Sequence, residues 1–129
     1  MKTSTVLTSL VVLSFSGIWA CQTDIRPPQT VCTEEFQSIG IRVLGDSLTD
    51  FYTIRLVTSD TIRRSTGFES QTHWYPVLDD SYRRQLASKQ ESFQFIGKQG
   101  QRIVIRQDYI IEADQCHIRK VSGRNEIQL

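Results

Sequence analysis

Residues 93–113, FQFIGKQGQRIVIRQDYIIEA, decide how this chain folds. Phe93, Phe95 and Gly97 alternate with Gln94 and Ile96, which is the two-residue period of a strand with one buried face. Lys98-Gln99-Gly100 reads as a hairpin loop, because glycine supplies the positive φ that a tight reversal needs. Arg102 to Ala113 follows as a long strand carrying Ile103, Val104, Ile105, Tyr109, Ile110 and Ile111. Strands joined by so short a loop must run antiparallel, since a parallel return needs a crossover of a dozen residues or more.

The same period recurs on both sides of this hairpin. Ile39, Ile41 and Val43 alternate with Gly40, Arg42 and Leu44. Residues 51–58 are rich in aromatic and branched side chains, with Tyr52, Ile54 and Leu56 sharing a face. Thr61-Ile62-Arg63 continues after a turn at Ser59-Asp60. Residues 72–78 read as an edge strand, because Pro76 cannot donate to a ladder. Cys116 to Val121 closes the sheet. One helix interrupts the series: Asp79 or Asp80 caps it, and Leu78, Tyr82 and Leu86 fall at i, i+4 and i+8 on its apolar side. Arg83, Arg84, Lys89 and Gln90 are left for water or the helix C-terminus. Many short strands and a single short helix predict a mainly β domain, a small antiparallel β-sandwich, with a partly open barrel as the alternative.

The N-terminus is of another kind. Lys2 is followed by an uncharged, apolar run over residues 6–20, and then by the polar Gln22-Thr23-Asp24. This is the pattern of a secretory signal peptide. The run is shorter than the roughly 20 residues a membrane span needs. Ile18-Trp19-Ala20-Cys21 resembles a bacterial lipobox, and the resemblance implies cleavage before Cys21 and lipidation of its thiol. The expected organisation is a signal peptide at 1–20, a lipidated tether at 21–30 stiffened by Pro27-Pro28, and a β-sandwich domain at 31–129. The protein would then sit at the cell envelope, membrane-anchored on the periplasmic or outer-surface side. Gln22 after the cysteine is compatible with export to an outer membrane.

Three cysteines are an odd count. With Cys21 lipidated, Cys32 and Cys116 remain as a pair in an oxidising compartment, where a disulfide is expected. The chain holds 15 Lys+Arg against 14 Asp+Glu, and loss of Lys2 with the leader makes the two signs equal. Arg63-Arg64 and Arg83-Arg84 are among its few close basic pairs. A neutral surface without a basic stripe excludes nucleic acid as the expected partner.

Gly45-Asp46-Ser47-Leu48-Thr49 resembles the signature block of the GDSL, or SGNH, hydrolases, and it follows a strand as that block does. Asp114-Gln115-Cys116-His117 resembles the same family's Asp-x-x-His block. The resemblance implies Ser47 as nucleophile, His117 as base and Asp114 as its orienting carboxylate. The chain departs from the family pattern in three ways. Its only asparagine, Asn125, lies after His117. The interval from Ser47 to Asp114 holds one helix, too few for a parallel crossover sheet. Cys116, expected in a disulfide, lies inside the second block. The competing reading makes residues 45–50 a turn between strands, where Asp and Ser bond their own backbone. That reading is adopted, and no catalytic residue is expected.

The tail from Tyr109 to Gly123 resembles the end of small exported bacterial domains of the carboxypeptidase regulatory-like, or transthyretin-like, type. The resemblance spans about residues 33–123 and implies a sandwich that serves as a non-catalytic module. Other residues could carry chemistry. His73 and His117 are the two histidines, but a metal site needs further ligands at matching spacing, and His117 is expected as a structural histidine beside the disulfide. Asp46, Asp50, Asp79 and Asp80 lack a calcium-loop spacing. Trp74, Tyr75 and Tyr52 offer either an aromatic platform or ordinary packing, and packing is the more common use. No cofactor and no metal are expected. The expected function is a lipid-anchored accessory or ligand-binding module whose partner is a protein or a glycan. The alternatives are a serine esterase using Ser47 and a purely structural envelope protein.

Overall fold

The computed structural model describes residues 30–64 and 72–129. The signal peptide and Cys21 fall outside them, as does all of the tether but Thr30. The described chain forms two packed sheets. The larger has five strands in the order β3-β2-β5-β6-β7: β2 is Asp50–Arg55, β3 Asp60–Ile62, β5 Gln90–Gln99, β6 Arg102–Ala113 and β7 Ile118–Ser122. The smaller has the order β4-β1-β8, with β1 at Ser38–Leu44, β4 at Trp74–Asp79 and β8 at Glu126–Gln128. A 3-10 turn (Asp80–Tyr82) and one turn of helix, α1 (Arg83–Leu86), join β4 to β5. The fold is therefore mainly β, a sandwich of two sheets rich in antiparallel pairing.

The β5–β6 hairpin is its spine. The two strands pair from Gln90↔Glu112 to Gln99↔Arg102, with a bulge at Gly97/Lys98. The reversal falls at Gly100-Gln101, one residue later than the sequence indicates, and Gly100 takes φ +58° there. Phe93 and Phe95 from β5, and Ile105, Tyr109, Ile111 and Ala113 from β6, point into the core. They meet Ile41 and Val43 of β1 and Tyr75 and Val77 of β4 across the layer. Phe51 stands edge-on to Tyr75, with ring centroids 5.3 Å apart, and stacks on Phe95 at 6.1 Å.

Several expectations are corrected. The strand expected over residues 51–58 ends at Arg55, and Leu56–Ser59 form the turn into β3, with Ser59 at φ 61°. Its core face is Phe51 and Thr53, not the Tyr52, Ile54, Leu56 series. Thr53 is buried and donates its hydroxyl to the Val77 carbonyl at 2.8 Å, tying one sheet to the other. Tyr52 lies on the outer face beneath the Arg63 guanidinium, 4.8 Å from its ring centroid. The short helix is smaller than the i, i+4, i+8 pattern predicts, because Leu78 belongs to β4. Leu86 is fully buried, and Tyr82 packs against the core from the side. Asp79 caps the 3-10 turn by accepting from the Ser81 N–H. Its carboxylate also pairs with Arg64. The chain leaves α1 through Ala87 and Ser88, both at positive φ.

The last strand is the largest departure. After β7 the chain crosses to the other sheet, and β8 pairs with β1 in parallel, Arg42↔Glu126 to Leu44↔Gln128. β4 is an edge strand as Pro76 requires, and Pro76 faces Gly40 where the β1 register shifts. Gly40 has a packing reason of its own, since an added Cβ would lie 2.1 Å from the Trp74 indole.

The strand directions give the sandwich two ends. At one end lie the start of β1, the end of β4, α1, the β2–β3 turn and the β6–β7 turn. At the other lie the end of β1, the 45–49 loop and the β5–β6 turn.

Candidate functional site

The densest polar cluster lies at the first of these ends, where the N-terminal arm (residues 30–37) meets the β6–β7 turn. Cys32 and Cys116 form the expected disulfide, with Cα atoms 5.2 Å apart at a sequence separation of 84. The next residue on each side adds a second link. The Thr33 hydroxyl lies 2.9 Å from His117 Nε2, and His117 Nδ1 lies 2.7 Å from Asp80 Oδ2. The Asp80 carboxylate also accepts from the Gln37 N–H at 2.7 Å and the Ile118 N–H at 2.8 Å. The Gln37 carbonyl accepts from the Asp80 N–H at 3.1 Å. One side chain thus ties the arm, the 3-10 turn and β7 together.

Burial disfavours the charge on Asp80, but the His117 hydrogen bond and the two backbone N–H groups outweigh it, and the carboxyl titrates below its ordinary 3.8. An ionised carboxylate only accepts, so Nδ1 carries the proton of this contact. Asp114 is held below its ordinary value too, by the His117 and Cys116 backbone N–H groups, which it accepts at 2.8 and 2.6 Å. It caps the turn and leaves the imidazole to Asp80.

Carboxylate, imidazole and hydroxyl in a row are the components of a hydroxyl-activating relay. Here the hydroxyl belongs to the arm and stands one residue from the disulfide, so the row works as a clasp. The imidazole is hydrogen-bonded on both sides next to the Cys116 bridge. Arg83 strengthens the same corner by donating to the Cys116 carbonyl at 2.9 Å. Beside it, Arg55 and Glu91 form a two-pronged ion pair at 2.6 and 2.8 Å over the edge of the core.

Ser47 is at the other end. It is exposed in the loop after β1, whereas both ring nitrogens of His117 are engaged by Thr33 and Asp80. The structure does not bring Ser47, Asp114 and His117 together as a relay. The 45–49 loop has a packing task. Leu48 is buried against Gly97, where an added Cβ would lie 2.8 Å from its Cδ1, and its N–H donates to the Tyr75 hydroxyl at 2.9 Å. The loop plugs this end of the sandwich.

The remaining candidates are dispersed. His73 and His117 sit at opposite ends, and among the described residues no three His, Cys, Asp or Glu side chains converge as a metal site would require. The aromatic trio is split: Tyr75 is in the core, Tyr52 on the outer face of the larger sheet and Trp74 over Gly40 on the smaller. An open cleft of about 350 Å³ lies at the end away from the clasp, lined by Arg42, Val43, Leu44, Gly45, Thr72 and His73. Sequence reasoning missed Asp80 as the hub and Thr33 as its outermost member. The doubled acid Asp79-Asp80 was the available signal, because a single carboxylate suffices to cap a turn.

The clasp makes stability pH-dependent. Asp80, Asp114 and Glu91 all titrate lower in the folded protein than in free chain, Glu91 chiefly through its hydrogen bond from Arg55. The unfolded chain therefore binds more protons across the interval, and stability falls as pH drops from the ordinary values, 3.8 for Asp and 4.5 for Glu, through the lowered ones. Thermal melts between pH 7 and pH 3 are expected to show a plateau and then this acid-side loss. Asp80→Asn, which has no carboxylate to protonate, should start lower on the plateau and lose less on acidification. An unchanged slope in the variant would remove Asp80 from the account.

No family model, no curated protein and no solved structure matches the chain.

Proposed function

We propose that this chain is a cell-envelope protein held to a membrane by lipid on Cys21, and that its sandwich is a non-catalytic accessory or binding module on the periplasmic or outer-surface side. The observation that carries the reading is the cysteine pairing. The Cys32–Cys116 bridge uses two of the three cysteines, and the third is the one at the end of the apolar leader, in the lipobox position. The clasp supports the same reading, because it fixes the arm to the domain where the tether joins it. Among the described residues no helix is long and apolar enough to cross a membrane. The two-sheet architecture agrees with the transthyretin-like resemblance, which is part of this proposal.

A non-catalytic role is favoured by the distance between Ser47 and an imidazole already engaged on both sides. The open cleft lined by Arg42 and His73 is the place we assign to a protein or glycan partner. Mass spectrometry of the membrane fraction is expected to find a mature chain whose first residue is an acylated Cys21, and Cys21→Ser should release the domain from the membrane. A soluble mature chain carrying an unmodified N-terminus would refute the anchor. A fluorophosphonate label taken up by wild type and not by Ser47→Ala would restore the esterase alternative.

A further inference from the structure

The clasp end of the sandwich carries an uneven share of exposed apolar surface. Leu56 and Val57, at the tip of the β2–β3 turn, are 45 % and 69 % exposed, and Val31 and Phe36 on the arm are 90 % and 64 % exposed. They belong to one end because Leu56 N–H bonds the Ser92 carbonyl near the start of β5, while the arm is pinned to the β6–β7 turn two strands away. Among the described residues, the exposed large apolar side chains at the opposite end are Leu44 and Leu129, at 37 % and 40 %. Arg84 and Lys89 are exposed beside the first group, in the segment joining β4 to β5. Among the described residues, the acids there outside ion pairs are Glu34 and Glu35 on the arm and Asp60 at the turn, which lies within electrostatic reach of Arg55. Asp80 is half-buried and engaged in the clasp, Asp114 caps its turn and Glu112 pairs with Arg119.

Chain length says what covers this surface. The disulfide fixes residue 32 at the clasp end, and eleven residues separate it from Cys21, a reach of at most ~40 Å when fully extended. The ten residues of β5 alone span ~34 Å from that end to the other. A tether leaving from the clasp end and anchored by lipid at Cys21 cannot bring the far end to the bilayer unless it is drawn almost straight along the whole domain. A lipid at Cys21 would therefore hold the clasp end nearer the bilayer than the far end.

We propose that the clasp end of the sandwich rests on the lipid bilayer, with Leu56 and Val57 seated in the headgroup boundary and Arg84 and Lys89 beside the lipid phosphates. The inference rests on the anchor at Cys21. Two short apolar side chains are too little to bind a bilayer alone; once lipid holds the chain there, they fix its orientation. The cleft lined by Arg42 and His73 then faces away from the membrane, open to a partner.

The test uses the full chain, processed and acylated at Cys21, in vesicles of phosphatidylethanolamine and phosphatidylglycerol with or without brominated acyl chains. Tryptophan is placed at either end, by Val57→Trp or by Gln101→Trp in the β5–β6 turn, and wild-type emission is subtracted. Both sites are exposed turn positions, so the fold is retained. Emission from Val57→Trp is expected to shift to the blue and to fall by roughly half with brominated lipid, as for a side chain ~5–10 Å into the boundary. Emission from Gln101→Trp should not change. Equal quenching at the two positions, or none at Val57→Trp in protein that sediments with the vesicles, overturns the orientation and leaves the anchor standing. Protein that does not sediment with the vesicles overturns both.

Discussion

Replacing both Cys32 and Cys116 by serine is expected to cost about 4–5 kcal/mol of folding stability. The bridge joins residues 84 apart, and almost the whole core lies within the loop it closes. In the unfolded chain that closure removes much of the conformational freedom that folding must otherwise overcome. The number comes from chain entropy, so it is an upper figure where the reduced chain keeps residual structure. For a domain of this size it corresponds to a fall in Tm on the order of 20 °C. Urea denaturation of oxidised wild type and of the double serine variant measures it directly. A difference under about 1 kcal/mol would mean that the clasp of Thr33, His117 and Asp80 holds the arm without the bridge, and that the bridge constrains little.

Gly123→Ala is expected to be the most damaging substitution of a single atom group. Gly123 stands where the chain leaves β7 for the other sheet, at φ +124°. An added Cβ would lie 2.2 Å from Cδ1 and 2.6 Å from Cε1 of Tyr109. That ring is fully buried and cannot swing aside, because its hydroxyl donates to the Arg124 carbonyl at 2.7 Å, one residue beyond the glycine. Burial raises the Tyr109 pKa, so the phenol keeps its proton and remains a donor. Backbone strain at such a φ costs about 1–3 kcal/mol, and forcing a methyl into a packed core about 1–3 kcal/mol more. A loss of about 2–6 kcal/mol is the expected sum. Tyr109→Phe removes only the hydroxyl and should cost about 1–2 kcal/mol. Thermal or urea melts of the two variants rank them; Gly123→Ala within 1 kcal/mol of wild type would show that the crossing relaxes freely.

Much of this fold is legible in local pattern. The β5–β6 hairpin follows from Phe93 and Phe95 alternating with polar neighbours and from Gly100 at the turn. The Cys32–Cys116 pairing follows from an odd cysteine count once Cys21, at the end of the apolar leader, is set aside. The turn reading of residues 45–50 holds because Gly45, Asp46 and Ser47 bring turn chemistry and a single apolar residue, Leu48, which the core takes up. The face of β2 was not legible for a definite reason: Phe51 and Thr53 on one side and Tyr52 and Ile54 on the other are both acceptable to a core. Alternation then offers two solutions, and only the partner sheet chooses between them. The Val77 carbonyl waiting for a hydroxyl selects Thr53. β8 was invisible because its three residues hold one apolar side chain, and its partner is β1, more than eighty positions earlier.

Period, turn residues and cysteine parity are short-range or countable properties, so a mainly β domain with Cys32 and Cys116 as a bridged pair can be read without coordinates. The engagement of His117 by Asp80 and Thr33, the place of Ser47 at the far end and the parallel pairing of β8 with β1 emerge only in the folded chain. These depend on which distant segments share space once two sheets close on one core. Hydrogen-bond reach, about 3 Å, is set by that closure and has no counterpart in spacing along the chain.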